Sequence, residues 1–122
     1  MISIDEFEDL VEEILKTYPK EIFNQLHGGI CIIEDLKYHP ESKANDLYIM
    51  GEYTRSSHGN SIKLYYGSFC EVYRFSSVDA LREEVDKVLR HEFTHHLENL
   101  SNLRDLEEFD KDQIEKYKNK YK

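Results

Sequence analysis

The sequence predicts an α+β fold, and three observations carry the prediction. Apolar residues recur at helical spacing near the start, three β-branched and aromatic stretches fill the middle, and helical spacing returns from Ser77 onward. With 122 residues, 39% of them hydrophobic, the chain is long enough for one core but not for two. It reads as a single domain over residues 1–122, with no internal repeat, low-complexity tract or linker.

Ile4, Phe7, Leu10, Val11, Ile14 and Leu15 give the first helix, expected over residues 4–17. Ser3 can cap it, and Glu6 three positions on completes a capping box. Tyr18-Pro19 ends it, because the residue before proline avoids the α region. Lys20 to Leu26 reads as a short second helix stopped by Gly28-Gly29.

Strands are expected over Gly29 to Leu36, Leu47 to Tyr53 and Ile62 to Tyr66, where Ile, Leu and Tyr concentrate. The polar loop H-P-E-S-K-A-N-D separates the first two, and R-S-S-H-G-N-S, rich in turn residues, separates the second from the third. From Ser77 the period is helical again, with Ser76 or Ser77 as cap and Asp79 placed for a capping box if Ser76 is used. Val78, Leu81, Val85, Leu89 and Leu100 form a stripe expected to pack on the sheet. Leu103 to Lys122 is highly charged, with Leu106, Phe109, Ile114 and Tyr117 as apolar points, and reads as a peripheral helix fraying into a lysine-rich tail.

The net charge of −9 argues against nucleic acid or an anionic membrane surface as partner. The first ten residues have neither a basic region nor an unbroken apolar run, so no signal peptide is expected, and no stretch approaches the roughly 20 apolar residues of a membrane span. Cys31 and Cys70 lack C-x-x-C spacing and are expected as reduced core residues of a cytoplasmic protein.

The chemistry concentrates in H-E-F-T-H-H-L-E, residues 91–98. His91 and His95 lie one helical turn apart on one face, where two imidazoles can share an ion. Glu92, about 100° further round, can reach a water beside that ion. This is the H-E-x-x-H arrangement of zinc hydrolases, with Zn2+ as cofactor, the histidines as ligands and the glutamate as catalytic base.

Catalytic zinc takes three protein ligands. Glu98 shares the face of His91 and His95 and leans back toward the ion, although its Cα stands roughly 10 Å along the axis from that of His91. Ser101, Asp105, Glu107 and Asp110 are alternatives if the helix ends near Asn99, and a metal held by two side chains is another. His96 falls inside the apolar stripe and is expected to be buried and hydrogen-bonded rather than a ligand. Glu84 and Val88 share the ligand side and are expected to line a cleft. Arg55, His58 and Tyr66 sit where a transition-state stabiliser would have to come from, and no spacing selects among them.

With these motifs in place the chain resembles the small bacterial "minimal zincin" metallopeptidases. The likeness runs through F-E-D-L-V-E-E-I-L, I-C-I-I-E-D, M-G-E-Y, I-K-L-Y and V-L-R-H-E-F-T-H-H-L-E. It implies a small mixed sheet backed by helices, with the motif helix packed against it. The family pattern resembles H-E-x-x-H-x-x-G-x-x-D or S; Ser101 meets the last position, while Glu98 replaces the glycine and becomes a candidate for the third ligand. No methionine follows the motif, so no Met-turn is available.

The expected function is therefore a zinc metallopeptidase acting on a peptide or protein substrate. The alternative is a zincin scaffold kept as a non-catalytic metal-binding or protein-interaction module.

Overall fold

The computed structural model describes residues 1–44 and 47–111, with side chains described as far as Asn102. The lysine-rich tail, with Ile114 and Tyr117, and the Asn45-Asp46 part of the polar loop lie outside the described residues, as do the side chains of Leu106 and Phe109.

Helix α1 spans Ile4–Leu15. Its capping box forms as expected: the Glu6 N–H donates to Ser3 Oγ at 3.2 Å and the Ser3 N–H to Glu6 Oε1 at 3.1 Å. Phe7, Leu10, Val11 and Ile14 are its buried face. The helix stops two residues before Thr17, whose hydroxyl donates to the Ile14 carbonyl and closes the last turn. The expected second helix is a single 3-10 turn over Lys20–Phe23, because Gln25 at φ 65° enters the left-handed region and breaks the helical path before Leu26.

The sheet has three strands, β1 (Gly29–Ile33), β2 (Gly51–Thr54) and β3 (Ser61–Tyr65), in the order β1-β3-β2. β1 and β3 are parallel, with Gly29 opposite Ser61 and Ile33 opposite Tyr65. β2 runs antiparallel to β3, with Gly51 opposite Leu64 and Thr54 opposite Ser61, and forms one edge. All three strands depart from expectation, and β1 stops at Ile33, three residues short of Leu36. Leu47 to Ile49 pairs with Lys37 to His39 through an isolated Tyr38–Tyr48 bridge, so β2 starts only at Gly51. β3 ends at Tyr65, and Tyr66 opens helix α2 (Tyr66–Tyr73), an element that periodicity did not reveal. Glycine, aromatic and β-branched residues make Y-G-S-F-C-E-V-Y a poor isolated helix. Burial of Ser68 and Phe69 holds it, and Gly67 lets it cross the exit of β1, where a Cβ would come within 2.4 Å of the Leu36 nitrogen. Cys31 on β1 and Cys70 on α2 are free thiols, half-buried rather than in the core.

Helix α3 runs from Val78 to Lys111. Of the two candidate caps it uses Ser77, whose Oγ accepts the Ala80 N–H at 3.1 Å. Leu81, Val85 and Leu89 are buried as expected, and Phe93 joins them, meeting Tyr18 and Phe23 edge-on. Val78 departs from the stripe and is exposed, since the helix meets the core only from Leu81. The helix does not stop after the motif and Leu103 to Lys111 is its continuation rather than a separate element, consistent with a sequence lacking Gly and Pro beyond Gly67. The core lies between α1, α3 and the sheet face carrying Ile62 and Leu64. No helix among the described residues is long and apolar enough to cross a membrane.

Candidate metal centre

The wall facing β2 is the stretch of α3 that carries the motif. Taking Leu81 as reference, Glu92 falls only about 20° round the helix from it, inside the buried stripe. Glu92 is accordingly 6% exposed, while His91 and His95 on the flank of the stripe stay open to solvent. The two rings stand edge-to-face with their Nε2 atoms 3.1 Å apart. Two nitrogens each about 2.0–2.1 Å from one tetrahedral zinc would be roughly 3.3 Å apart, so the pair is already close to the spacing a shared ion needs. Donor atoms of His91, Glu92 and His95 all lie within 4.8 Å of one another. They are the one such cluster among the described residues.

Burial pushes the Glu92 carboxyl above the usual carboxylate range, and the nearby Glu52 adds to it. His91, His95 and a hydrogen bond from the Tyr53 backbone amide act in the opposite direction without cancelling it. That amide is available because of sheet geometry. The Tyr65 N–H donates to the Met50 carbonyl at 2.9 Å, and antiparallel alternation then turns the main-chain groups of Gly51 and Tyr53 away from β3, toward the open edge. Gly51 also permits the close approach of α3: a Cβ there would meet Val88 Cγ1 at 2.7 Å.

Between this edge and α3 lies an open groove of about 550 Å³, walled by Gly51, Tyr53 and Arg55 on one side and His91, Glu92 and His95 on the other. It continues along the helix to Glu84 and Val88, the two residues expected to line it. A larger groove of about 890 Å³ on another face of α3 holds His27 and His58 and contains none of the clustered donors.

Glu98 is not among the converging donors. Its Oε2 lies 3.7 Å from Nδ1 of His95, the ring nitrogen opposite the one that meets His91, and its side chain is 65% exposed. At that distance the two groups form no hydrogen bond. Ser101 lines the larger groove. Asp105, Glu107 and Asp110 were alternatives for a helix ending near Asn99, but α3 continues and carries their backbone about 20 Å or more beyond His91. Of Arg55, His58 and Tyr66, only Arg55 lines the cleft; the Tyr66 hydroxyl donates to the Ile2 carbonyl beside the start of α1.

His96 is fully buried and hydrogen-bonded, as its position in the stripe suggested. Its Nε2 lies 2.7 Å from the Asn24 carbonyl, which can only accept, so the proton sits on Nε2 and Nδ1 accepts from the Tyr53 hydroxyl at 2.7 Å. The phenol oxygen in turn accepts from Asn99 Nδ2 at 3.3 Å, and Asn99 Oδ1 accepts from Arg55 Nη1 at 3.0 Å. One directional chain thus links β2, α3 and the segment before β1. On the sheet, Glu52 accepts from Lys37 Nζ at 2.9 Å and from the Tyr65 hydroxyl. None of these partners was singled out from sequence except Arg55 and His96, because each bond joins residues far apart in the chain.

No protein-family model and no curated protein matches the chain. Among solved structures it is similar to a conserved hypothetical protein from Thermo thermophilus. The TM-score is 0.70 at 29% identity, over 82% of this chain and 98% of that one. The likeness supports the mixed α+β arrangement.

Proposed function

We propose that the chain is a zinc-dependent peptidase of minimal-zincin type, acting in the cytoplasm on a peptide or protein substrate. The observation that carries the reading is the 3.1 Å approach of the His91 and His95 Nε2 atoms with the Glu92 carboxylate beside them on an open groove. His91 and His95 would hold the metal as neutral imidazoles, and Glu98 would steady His95 through Nδ1. Zinc, when bound, supplies a Lewis acid that acidifies water and polarises a carbonyl.

The rest falls to the chain's own residues. Glu92 takes the proton from the attacking water and returns it to the leaving amine. Its burial raises its proton affinity toward that task. Gly51 offers its main-chain groups at the edge of β2, where an extended peptide can pair as an added strand.

A second reading, a metal-binding or interaction module without catalysis, is favoured by one observation. Only two histidines and Glu92 converge among the described residues, one ligand fewer than a catalytic zinc site normally has. Purified protein loaded with zinc and incubated with denatured proteins separates the two. Cleavage abolished by a chelator and by Glu92→Gln, with zinc retained in that variant and lost in His95→Ala, supports the peptidase. Cleavage by Glu92→Gln at the wild-type rate refutes the base assignment, and stoichiometric zinc without cleavage supports the module.

A further inference from the structure

Arg55 is built into the groove in a way the chemistry above does not use. Arg74, Arg82 and Arg90, the other arginines with described side chains, each pair with a carboxylate. Arg55 has no carboxylate partner among the described residues; its contact is the Asn99 amide. That amide cannot turn over, because its other end donates to the Tyr53 hydroxyl and the chain beyond ends on the Asn24 carbonyl. The residues on either side of Arg55 are tied down. Thr54 Oγ1 meets Ser61 Oγ at 2.7 Å, and Ser56 Oγ donates to the Gly59 carbonyl at 3.0 Å, closing the turn that follows.

A guanidinium that spends one Nη1 hydrogen on Asn99 keeps Nε and Nη2 as a free edge, the two-donor fork that matches a carboxylate. Asn99 stands four residues beyond His95 and eight beyond His91, so this fork lies about 6–12 Å further along the helix axis than the two histidines. An extended peptide advances roughly 3.3 Å per residue, which places the fork two or three residues from the reacting carbonyl rather than upon it. Glu52 and Glu98 line the same groove and would repel a dianion more than a monoanion.

We infer that Arg55, held by Asn99, binds a carboxylate of the peptide substrate two or three residues from the bond that is cut. This rests on the peptidase reading of the same groove. The carboxylate is either the C-terminus of the peptide or an Asp or Glu side chain, and the two are separable by probe.

The test uses the full chain with Glu92→Gln, zinc-loaded, titrated by fluorescence anisotropy with labelled hexapeptides of three kinds. These carry a free C-terminus, a C-terminal amide, or a C-terminal amide with one internal Asp. Binding of one of the two carboxylate-bearing kinds about tenfold tighter than the neutral amide is expected, as befits a charge-assisted pair in an open groove. Arg55→Ala should remove the difference, and Arg55→Lys, which offers a point charge and no fork, should restore only part of it. Arg55→Ala leaves the buried Asn99 Oδ1 without its donor, so melting of each variant is recorded and binding is compared at a temperature where all are folded. Equal binding of all three peptides, no binding of any, or a preference that survives Arg55→Ala would overturn the assignment. Zinc stoichiometry and wild-type cleavage measured alongside show whether the peptidase reading falls with it.

Discussion

Removing the Tyr53 hydroxyl tests whether the polar chain through the core holds the edge strand on the helix. In Tyr53→Phe, His96 Nδ1 loses a 2.7 Å donor and Asn99 Nδ2 loses a longer 3.3 Å acceptor. His96 is 0% exposed, so water cannot replace the donor without opening the core. One orphaned buried acceptor costs about 1–3 kcal/mol, and the weaker Asn99 bond adds under about 1 kcal/mol, so a loss of about 2–3 kcal/mol is expected. For a domain of this size that lowers Tm by roughly 8–12 °C. Urea unfolding with a chelator present measures it without metal linkage, and Tyr38→Phe, at an exposed position, should stay within about 0.5 kcal/mol. A loss below about 0.5 kcal/mol in Tyr53→Phe would refute the account.

Gly51→Ala should cost about 1–3 kcal/mol, because the added methyl meets Val88 Cγ1 at 2.7 Å and Leu64 Cδ2 at 3.1 Å; an unchanged urea midpoint contradicts the close approach. Glu98→Ala should weaken zinc binding about tenfold in competition with a chromophoric chelator, the effect of losing an orienting carboxylate. Loss of all zinc would make it a ligand, and no change would make it neither. Burial alone would raise the Glu52 carboxyl, yet hydrogen bonds from Tyr65 and Lys37 and the Lys37 charge outweigh it and hold the group below its ordinary 4.5. Its folded-state affinity for protons is thus the lower one, so its stabilisation is present above about pH 4.5 and is lost as pH falls below that. Lys37→Met should flatten acid unfolding in that window, and an unaltered acid limb would contradict it.

What was legible in the sequence was local. The Ser3–Glu6 capping box, the apolar face of α1 and the juxtaposition of His91 with His95 all follow from spacings of three or four residues, which a helix fixes by itself. The reading failed where distant contacts decide. Helix α2 exists because Phe69 is buried beneath its neighbours, not because Y-G-S-F-C-E-V-Y favours a helix. Leu47 and Tyr48 have strand composition but found Lys37 to His39 as partner instead of β3. Arg55 was one of three equal candidates until a bond to Asn99, 44 residues away, put it in the groove and left His58 and Tyr66 elsewhere. Glu98 lies outside the cluster of donors, its carboxylate 3.7 Å from Nδ1 of His95, because side-chain direction is not fixed by helical spacing.

The pairing of β2 with β3 has a consequence for how the chemistry is assembled. Glu92 shares its groove with Gly51, Glu52 and Tyr53 of a four-residue strand, and side chains of that strand alternate between two faces. A slip of one residue would bring Glu52 or Thr54 to the position of Tyr53, send the phenol away from His96 and press a side chain into the notch at Gly51. Pairing this short ribbon in its correct frame and forming the wall of the groove are therefore a single event.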